Sequence, residues 1–344
     1  MSHPRTRPSS ARSRRRRRAW TAAAAVVLVV AGAAVWGVGR YGPRFGVYLV
    51  PPSPQRYADV ALDLMSGGYA ADGPAWEAAQ EAVRAAAAQA DDVADLHAVL
   101  AEAVRVAGGP HSAFLTPDEA AASQTAADEA PGPTVTTTGG VTTLVLPELA
   151  GGSPRTQQRY ADILADGIAA AAPATCGWVV DLRGNTGGTM YPMLSGVSAL
   201  LPDGPALFFS DRHGRTTAQV TVQEDGAGLN GRTTTRVRAT PGVSGAVAVL
   251  QDERTASSGE VVLTAFRGLD HVATFGAPSA GYTSANTPYR LYDGAELVVT
   301  ESVYVDRDGV VLDEVPLPAA HPTAGPDAEA AGRAWLAEQG CAAG

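Results

Sequence analysis

The chain contains no lysine in 344 residues. That absence removes the Walker phosphate loop, whose lysine reaches the nucleotide phosphates. Cysteine is scarce as well, with Cys176 and Cys341 alone. Two cysteines and no HExxH sequence give no basis for a structural or zincin-type zinc site, and no metal or other cofactor is expected. Outside the cytoplasm the two could pair, but spacing does not decide between a disulfide and two free thiols. Positive charge thins out after the first 40 residues. Those 40 hold nine arginines and no acid, while beyond them 17 arginines face 35 acids, a formal −18. A body of that sign argues against nucleic acid as a partner, because phosphate binding needs clustered positive charge.

What is present at the N-terminus is a long apolar run. "WTAAAAVVLVVAGAAVWGVG", residues 20–39, carries no charge and follows the arginine run Arg14 to Arg18. Twenty residues at about 1.5 Å each span about 30 Å, the thickness of a bilayer core. Trp20 and Trp36 sit near its ends, where indoles favour the interface. Arginines on the N-terminal side predict a cytoplasmic N-terminus and an exported body. The competing reading is a cleaved signal peptide with "AGA" at 31–33 as the cleavage site. The division expected is a cytoplasmic arginine-rich tail (1–19), a transmembrane anchor (20–39), a linker (40–55), an N-terminal helical region (56–110) and a core (111–344).

In the helical region Val93, Leu96, Leu100 and Val104 make one apolar stripe, with His97 beside it as a structural or surface histidine. "AGGPHSAFLTPDE" breaks that helix and puts His111 and Ser112 on a loop. Residues 118–140, small, polar and acidic, read as a flexible connection. Beyond them strands alternate with helices: "VTTLVLPEL" (141–149), a helix over 160–172, "GWVVDL" (177–182), "GAVAVL" (245–250), a helix over 260–266, "HVATFG" (271–276), a hairpin turning at Asp293-Gly294, and a closing helix over 328–338. That alternation indicates an α/β core. The threonine-rich stretch 203–244 alternates as a small β cap inserted over one end of the sheet.

Two turns follow buried strands. "RGNTGGTMYPM" has neither the Walker lysine nor dinucleotide-fold glycine spacing, which leaves a tight turn or a set of amides aimed at an oxyanion. In "ERTASSGEVVLTAFRG", Ser257 and Glu260 have capping-box spacing. Met190 and Tyr191 read equally as the first apolar turn of a helix or as groove lining. His213, His271 and His321 carry no supporting motif.

"GGPHSAFLTPDE", "VVDLRGNTGGTMYPM", "TASSGE" and "TFGAPSAGYTSAN" occur in the order found in the C-terminal processing (tail-specific) serine peptidases, and the chain resembles the branch that holds the nisin-resistance proteins. The resemblance spans about residues 56–318 and implies a ββα-spiral, crotonase-like core. Two departures narrow it. Only about 25 residues separate the "PHS" loop from the first core strand, too few for the PDZ domain of the tail-specific members. Their base lysine follows a glycine where this chain has Gly281-Tyr282, and a chain without lysine has no Ser–Lys dyad.

The resemblance therefore implies Ser257 as nucleophile and His111 as base, with backbone amides of Ser258 and of Gly187 or Gly188 as the oxyanion hole. Asp313, Glu314 and Ser112 are candidates for the group that orients the imidazole, and Thr189, Met190 and Tyr191 for substrate contact. The function implied is a membrane-anchored, extracytoplasmic serine endopeptidase acting on extended peptides or proteins. A non-catalytic peptide-binding protein of the same fold is the alternative, and an acyl-CoA enzyme is disfavoured by export and by the missing lysine.

Overall fold

A computed structural model of the chain describes residues 10–341. A long helix, Ser10–Tyr41, opens it, and the stretch Val26–Phe45 (mean hydropathy 1.4, 11% buried) is long and apolar enough to cross a membrane. Residues 40–55, expected as a linker, hold a 3-10 turn, Gly42–Phe45, closed by Gly46 at φ 67°. Three helices follow, Pro54–Met65, Gly73–Ala87 and His97–Gly108. Their buried faces, built from Tyr57, Met65, Trp76, Leu100 and Val104, pack with Leu96 of the 3-10 turn Val93–Leu96 and with Leu297 and Val299 of a long hairpin strand, Glu296–Asp306. His97 anchors this layer: its Nε2 lies 2.7 Å from Asp293 Oδ2 in the hairpin turn.

Behind the helices stand two sheets. The first runs, edge to edge, through His321–Pro322, Val272–Gly276, Ala246–Gln251, Gly177–Asp181, Val141–Val145 and Thr134–Thr138. All pair in parallel except Thr134–Thr138, which is antiparallel to its neighbour. The apolar runs legible in the sequence are the inner strands, buried on both faces as parallel strands require. The helices Pro154–Ala171 and Ser258–Phe266 cover one face, with Leu164, Ile168, Val261 and Phe266 in the main core. The closing helix Ala328–Glu338 covers the other through Leu336 against Val179, Leu250 and Phe275.

The second sheet is antiparallel and carries the hairpin Ser284–Arg290/Glu296–Asp306. Residues 203–244, expected as an inserted cap, supply four of its strands, Gly204–Ser210, Thr216–Gln223, Gly226–Leu229 and Arg232–Arg236. The first of these pairs with 303–306 of the hairpin, so the stretch continues this sheet.

One expectation is overturned. Residues 118–140 are not a flexible connection but the helix Pro117–Glu129 followed by the edge strand Thr134–Thr138. The helix has no apolar stripe to betray it. Its ends hold it: Thr116 and Glu119 form a reciprocal capping box, and Asp128 accepts from the Ser153 amide at 2.7 Å and the Thr156 hydroxyl at 2.5 Å. The cysteine question is also answered. Cys176 and Cys341 are joined in a disulfide, tying the start of a central strand to the end of the closing helix.

Candidate active site

The site is built where the two apolar strands Gly177–Asp181 and Ala246–Gln251 end side by side. Each runs into one of the turns singled out in the sequence. Asn185, fully buried, fastens the turns together: its Nδ2 donates to the Leu146 carbonyl at 2.9 Å, its Oδ1 accepts from the Gly187 amide at 2.9 Å, and its backbone carbonyl accepts from the Ala256 amide at 2.9 Å. Gly187 then lies against Ser257 so closely that a Cβ on it would meet the Ser257 Cβ at 2.7 Å. At Gly188 a Cβ would fall 1.9 Å from the Leu149 carbonyl oxygen. Both glycines have φ near 108–109°, so the turn needs them for conformation as well as for space.

Ser257 sits at the head of its helix with φ 49° and ψ −116°. Such a conformation costs a non-glycine residue on the order of 1–3 kcal/mol and persists only where its surroundings hold it. What holds it is Glu260. Its Oε2 accepts from the Ser257 amide at 2.8 Å, and its Oε1 accepts from the Ser279 hydroxyl at 2.5 Å and the Gly281 amide at 2.8 Å. Burial pushes the pKa of this carboxyl up, against the pull of those donors. The neighbouring Ser258 turns its hydroxyl to the Gly188 carbonyl at 2.5 Å. Its backbone amide and that of Gly188 form no hydrogen bond among the described residues, whereas the Gly187 amide is taken by Asn185. Tyr304, buried beneath, lies near enough to the Ser257 side chain to interact with it, and burial raises its phenol pKa.

His111 stands on its loop after the helix His97–Gly108. Its Nδ1 is 2.8 Å from Ser284 Oγ, and Ser284 donates to Glu314 Oε1 at 2.9 Å. Because the serine proton goes to the carboxylate, its oxygen must accept from Nδ1–H, which leaves Nε2 as the basic nitrogen. The Tyr282 ring covers the imidazole at 4.9 Å between centroids, and Asn286 Nδ2 donates to the His111 carbonyl at 3.1 Å. Burial lowers the His111 pKa to about 4. Glu314 reaches inward from a left-handed backbone, φ 48°, while its neighbour Asp313 is exposed. Among the described residues three non-glycines have positive φ, and two of them, Ser257 and Glu314, belong to this cluster.

One segment joins the two halves. From Ser279 to Ser284 the chain bonds Glu260 under Ser257 at one end and His111 at the other. Within this stretch Tyr282 packs against the imidazole. Ser112, beside the histidine, is buried and bonded to Thr300, with Oγ–Oγ1 3.0 Å. Thr189 precedes the short helix Met190–Gly196; Met190 packs against the main core and Tyr191 is half-buried. Sequence reasoning missed Asn185, Ser284 and Tyr304. The first two lie inside quoted motifs, but only their contacts tell them from ordinary turn residues; Tyr304 sits in a plain strand pattern.

Residues 143–315 match the model of peptidase family S41. The nisin-resistance protein of Lactococcus lactis subsp. lactis is 33% identical over 279 residues, 80% of this chain and 86% of that protein. A lipoprotein from Streptococcus agalactiae superposes with a TM-score of 0.73 at 25% identity, over 85% of this chain and 99% of its own. The photosystem II D1 C-terminal processing protease shares the fold, with a TM-score of 0.54 at 14% identity, over 80% and 94% of the two chains. The matched span contains both clamped turns, the bridging segment and Glu314, and with them this chain belongs to peptidase family S41.

Proposed function

We propose that the chain is a membrane-anchored serine endopeptidase whose body faces away from the cytoplasm, and that it cuts extended peptides through Ser257 and His111. The core is read as the ββα spiral of the crotonase-like folds. In this mechanism Ser257 Oγ attacks the scissile carbonyl carbon and its proton passes to His111 Nε2. Ser284, backed by Glu314, holds the imidazole in the Nδ1–H form and steadies the imidazolium as it appears. The oxyanion falls to the Ser258 and Gly188 amides, the two left unused at the turns. Collapse of the tetrahedral intermediate releases the amine, which takes the proton from His111, and water then hydrolyses the acyl-enzyme by the same route.

The observation that supports this reading is the segment Ser279–Ser284, which bonds Glu260, the carboxylate that clamps Ser257, at one end and His111 at the other. Thr189, Met190 and Tyr191 are the groove residues, and kinship to a nisin-resistance protein makes lantibiotic-like or other antimicrobial peptides the first substrates to try, with envelope proteins next. Fluorophosphonate labelling of the detergent-solubilised chain tests it. Labelling should survive Ser258→Ala and vanish in Ser257→Ala, and His111→Ala should slow it by about 10²- to 10⁴-fold. A folded wild type that never labels and never cuts peptide would put a peptide-binding protein in its place.

A further inference from the structure

The segment after the apolar helix is not used by the chemistry, yet it is built with care. Gly42 and Pro43 are buried, and a Cβ on Gly42 would meet the Val47 carbonyl oxygen at 2.6 Å. The Tyr48 hydroxyl donates to the Arg290 carbonyl at 3.3 Å and its ring meets Tyr292 edge-on at 5.7 Å. Arg40 reaches Asp63 at 3.1 Å, Arg44 approaches the same carboxylate at 3.8 Å, and Arg56 donates to the Gly39 carbonyl at 3.2 Å. The apolar helix is thus joined to the helical layer by side chains, not by a slack tether. Between them lies an open cavity of about 170 Å³ lined by Arg40, Arg44, Arg56, Asp59 and Asp63. Three guanidiniums against two carboxylates leave one positive charge. Next to it the chain exposes several large apolar side chains within ten residues: Tyr41 53%, Phe45 80%, Val47 48%, Leu49 54% and Val50 71%.

On the exported side of a span, arginines run against the usual bias of flanking charge. Exposed apolar side chains directly following a span in the chain have an obvious solvent, the interfacial layer of the same bilayer. We propose that residues 40–56 form a membrane-docking foot: Phe45, Val47, Leu49 and Val50 enter the interface, and Arg40, Arg44 and Arg56 hold the phosphate of one anionic lipid headgroup. One phosphodiester cancels the cavity's surplus charge. The acidic body is repelled by the same surface, so attraction confined to the foot sets which way the body faces. The proposal rests on the anchored reading above.

The test reconstitutes the full chain into phosphatidylcholine vesicles with and without phosphatidylglycerol. A spin label is placed at Leu49→Cys, with Arg232→Cys, on the strand of the second sheet furthest from the hairpin, as the aqueous control. The Cys176–Cys341 disulfide leaves each introduced thiol as the labelled one. The Leu49 label should collide preferentially with lipid-soluble oxygen and the Arg232 label with a water-soluble nickel chelate. Native mass spectrometry of the detergent-extracted chain should find one retained phosphatidylglycerol, lost in Arg44→Gln/Arg56→Gln. A chain that withstands alkaline carbonate extraction while its Leu49 label is aqueous, or its lipid retention is unchanged by that double variant, overturns the foot and leaves the anchor standing. A chain that carbonate strips from the vesicles overturns both. Displacement of the lipid by millimolar inorganic phosphate would make the cavity a free-phosphate site instead and defeat the docking.

Discussion

Burial governs the protonation of His111, the proposed base. A histidine whose pKa is lowered to about 4 stays neutral across the range where a free imidazole, near 6.5, takes up a proton. The acid limb of kcat/KM, which reports the free enzyme, should therefore fall with an apparent pKa near 4. A limb at 6.5 would show an imidazole open to water and would sink the assignment. The same group affects stability, with a definite sign. Between about pH 6.5 and 4 the unfolded chain binds a proton that the folded one refuses, so this contribution weakens the fold as pH falls through that window. His111→Gln should flatten that part of the stability profile, read as urea midpoint against pH. Glu314→Gln tests the proposed relay behind the ring: if the carboxylate steadies charge that exists only during the reaction, kcat should drop while KM holds. An unchanged kcat would remove Glu314 from the mechanism.

At the scale of elements, the two turns matter as a pair. Gly188→Ala places a methyl 1.9 Å from the Leu149 carbonyl and asks alanine for φ 108°, so the turn must move away from Ser257. We expect the labelling rate to collapse and the thermal midpoint to fall, by an amount corresponding to about 1–3 kcal/mol. Glu260→Ala strips one acceptor from three donors at once and should cost about 3 kcal/mol or more, seen in the urea midpoint. A loss under about 1 kcal/mol would mean water replaces the carboxylate. These elements also mark what the sequence made legible. Val179, Val180, Val249 and Leu250 announce buried parallel strands through unbroken apolar runs, and the motifs after them announce the turns. Pro117–Glu129 stayed hidden because end contacts hold it, and those depend on Ser153 and Thr156, far along the chain. Residues 203–244 read correctly as strands, but which sheet they join is set by a partner near residue 304 that local alternation does not reveal. Ser257 read as a helix start, which it is; its left-handed backbone is a property of the packed turns.

For the molecule as a whole, the Cys176–Cys341 bond has the widest reach. It closes a loop of 165 residues, which by chain-entropy arguments is worth up to about 5 kcal/mol, with 2–5 kcal/mol usual for a native bond. Cys176→Ser/Cys341→Ser should lower the urea midpoint accordingly and should change little in the labelling rate at low temperature. A midpoint equal to that of wild type would mean that Leu336, Gly177 and their neighbours hold the closing helix unaided. The bond also partitions the molecule covalently. Everything from 176 to 341, with Asn185, Ser257, Ser284 and Glu314, is a ring, and His111 lies on the tail that leads to the N-terminal apolar helix. A single cut in the exposed stretch 130–132, between the helix Pro117–Glu129 and the edge strand, would leave the ring closed and divide the chain into two pieces, with Ser257 on one and His111 on the other. On the proposed mechanism the nucleophile and its base would then sit on separate chains, held together by packing alone, such as that of Leu100 and Val104 against Leu297 and Val299.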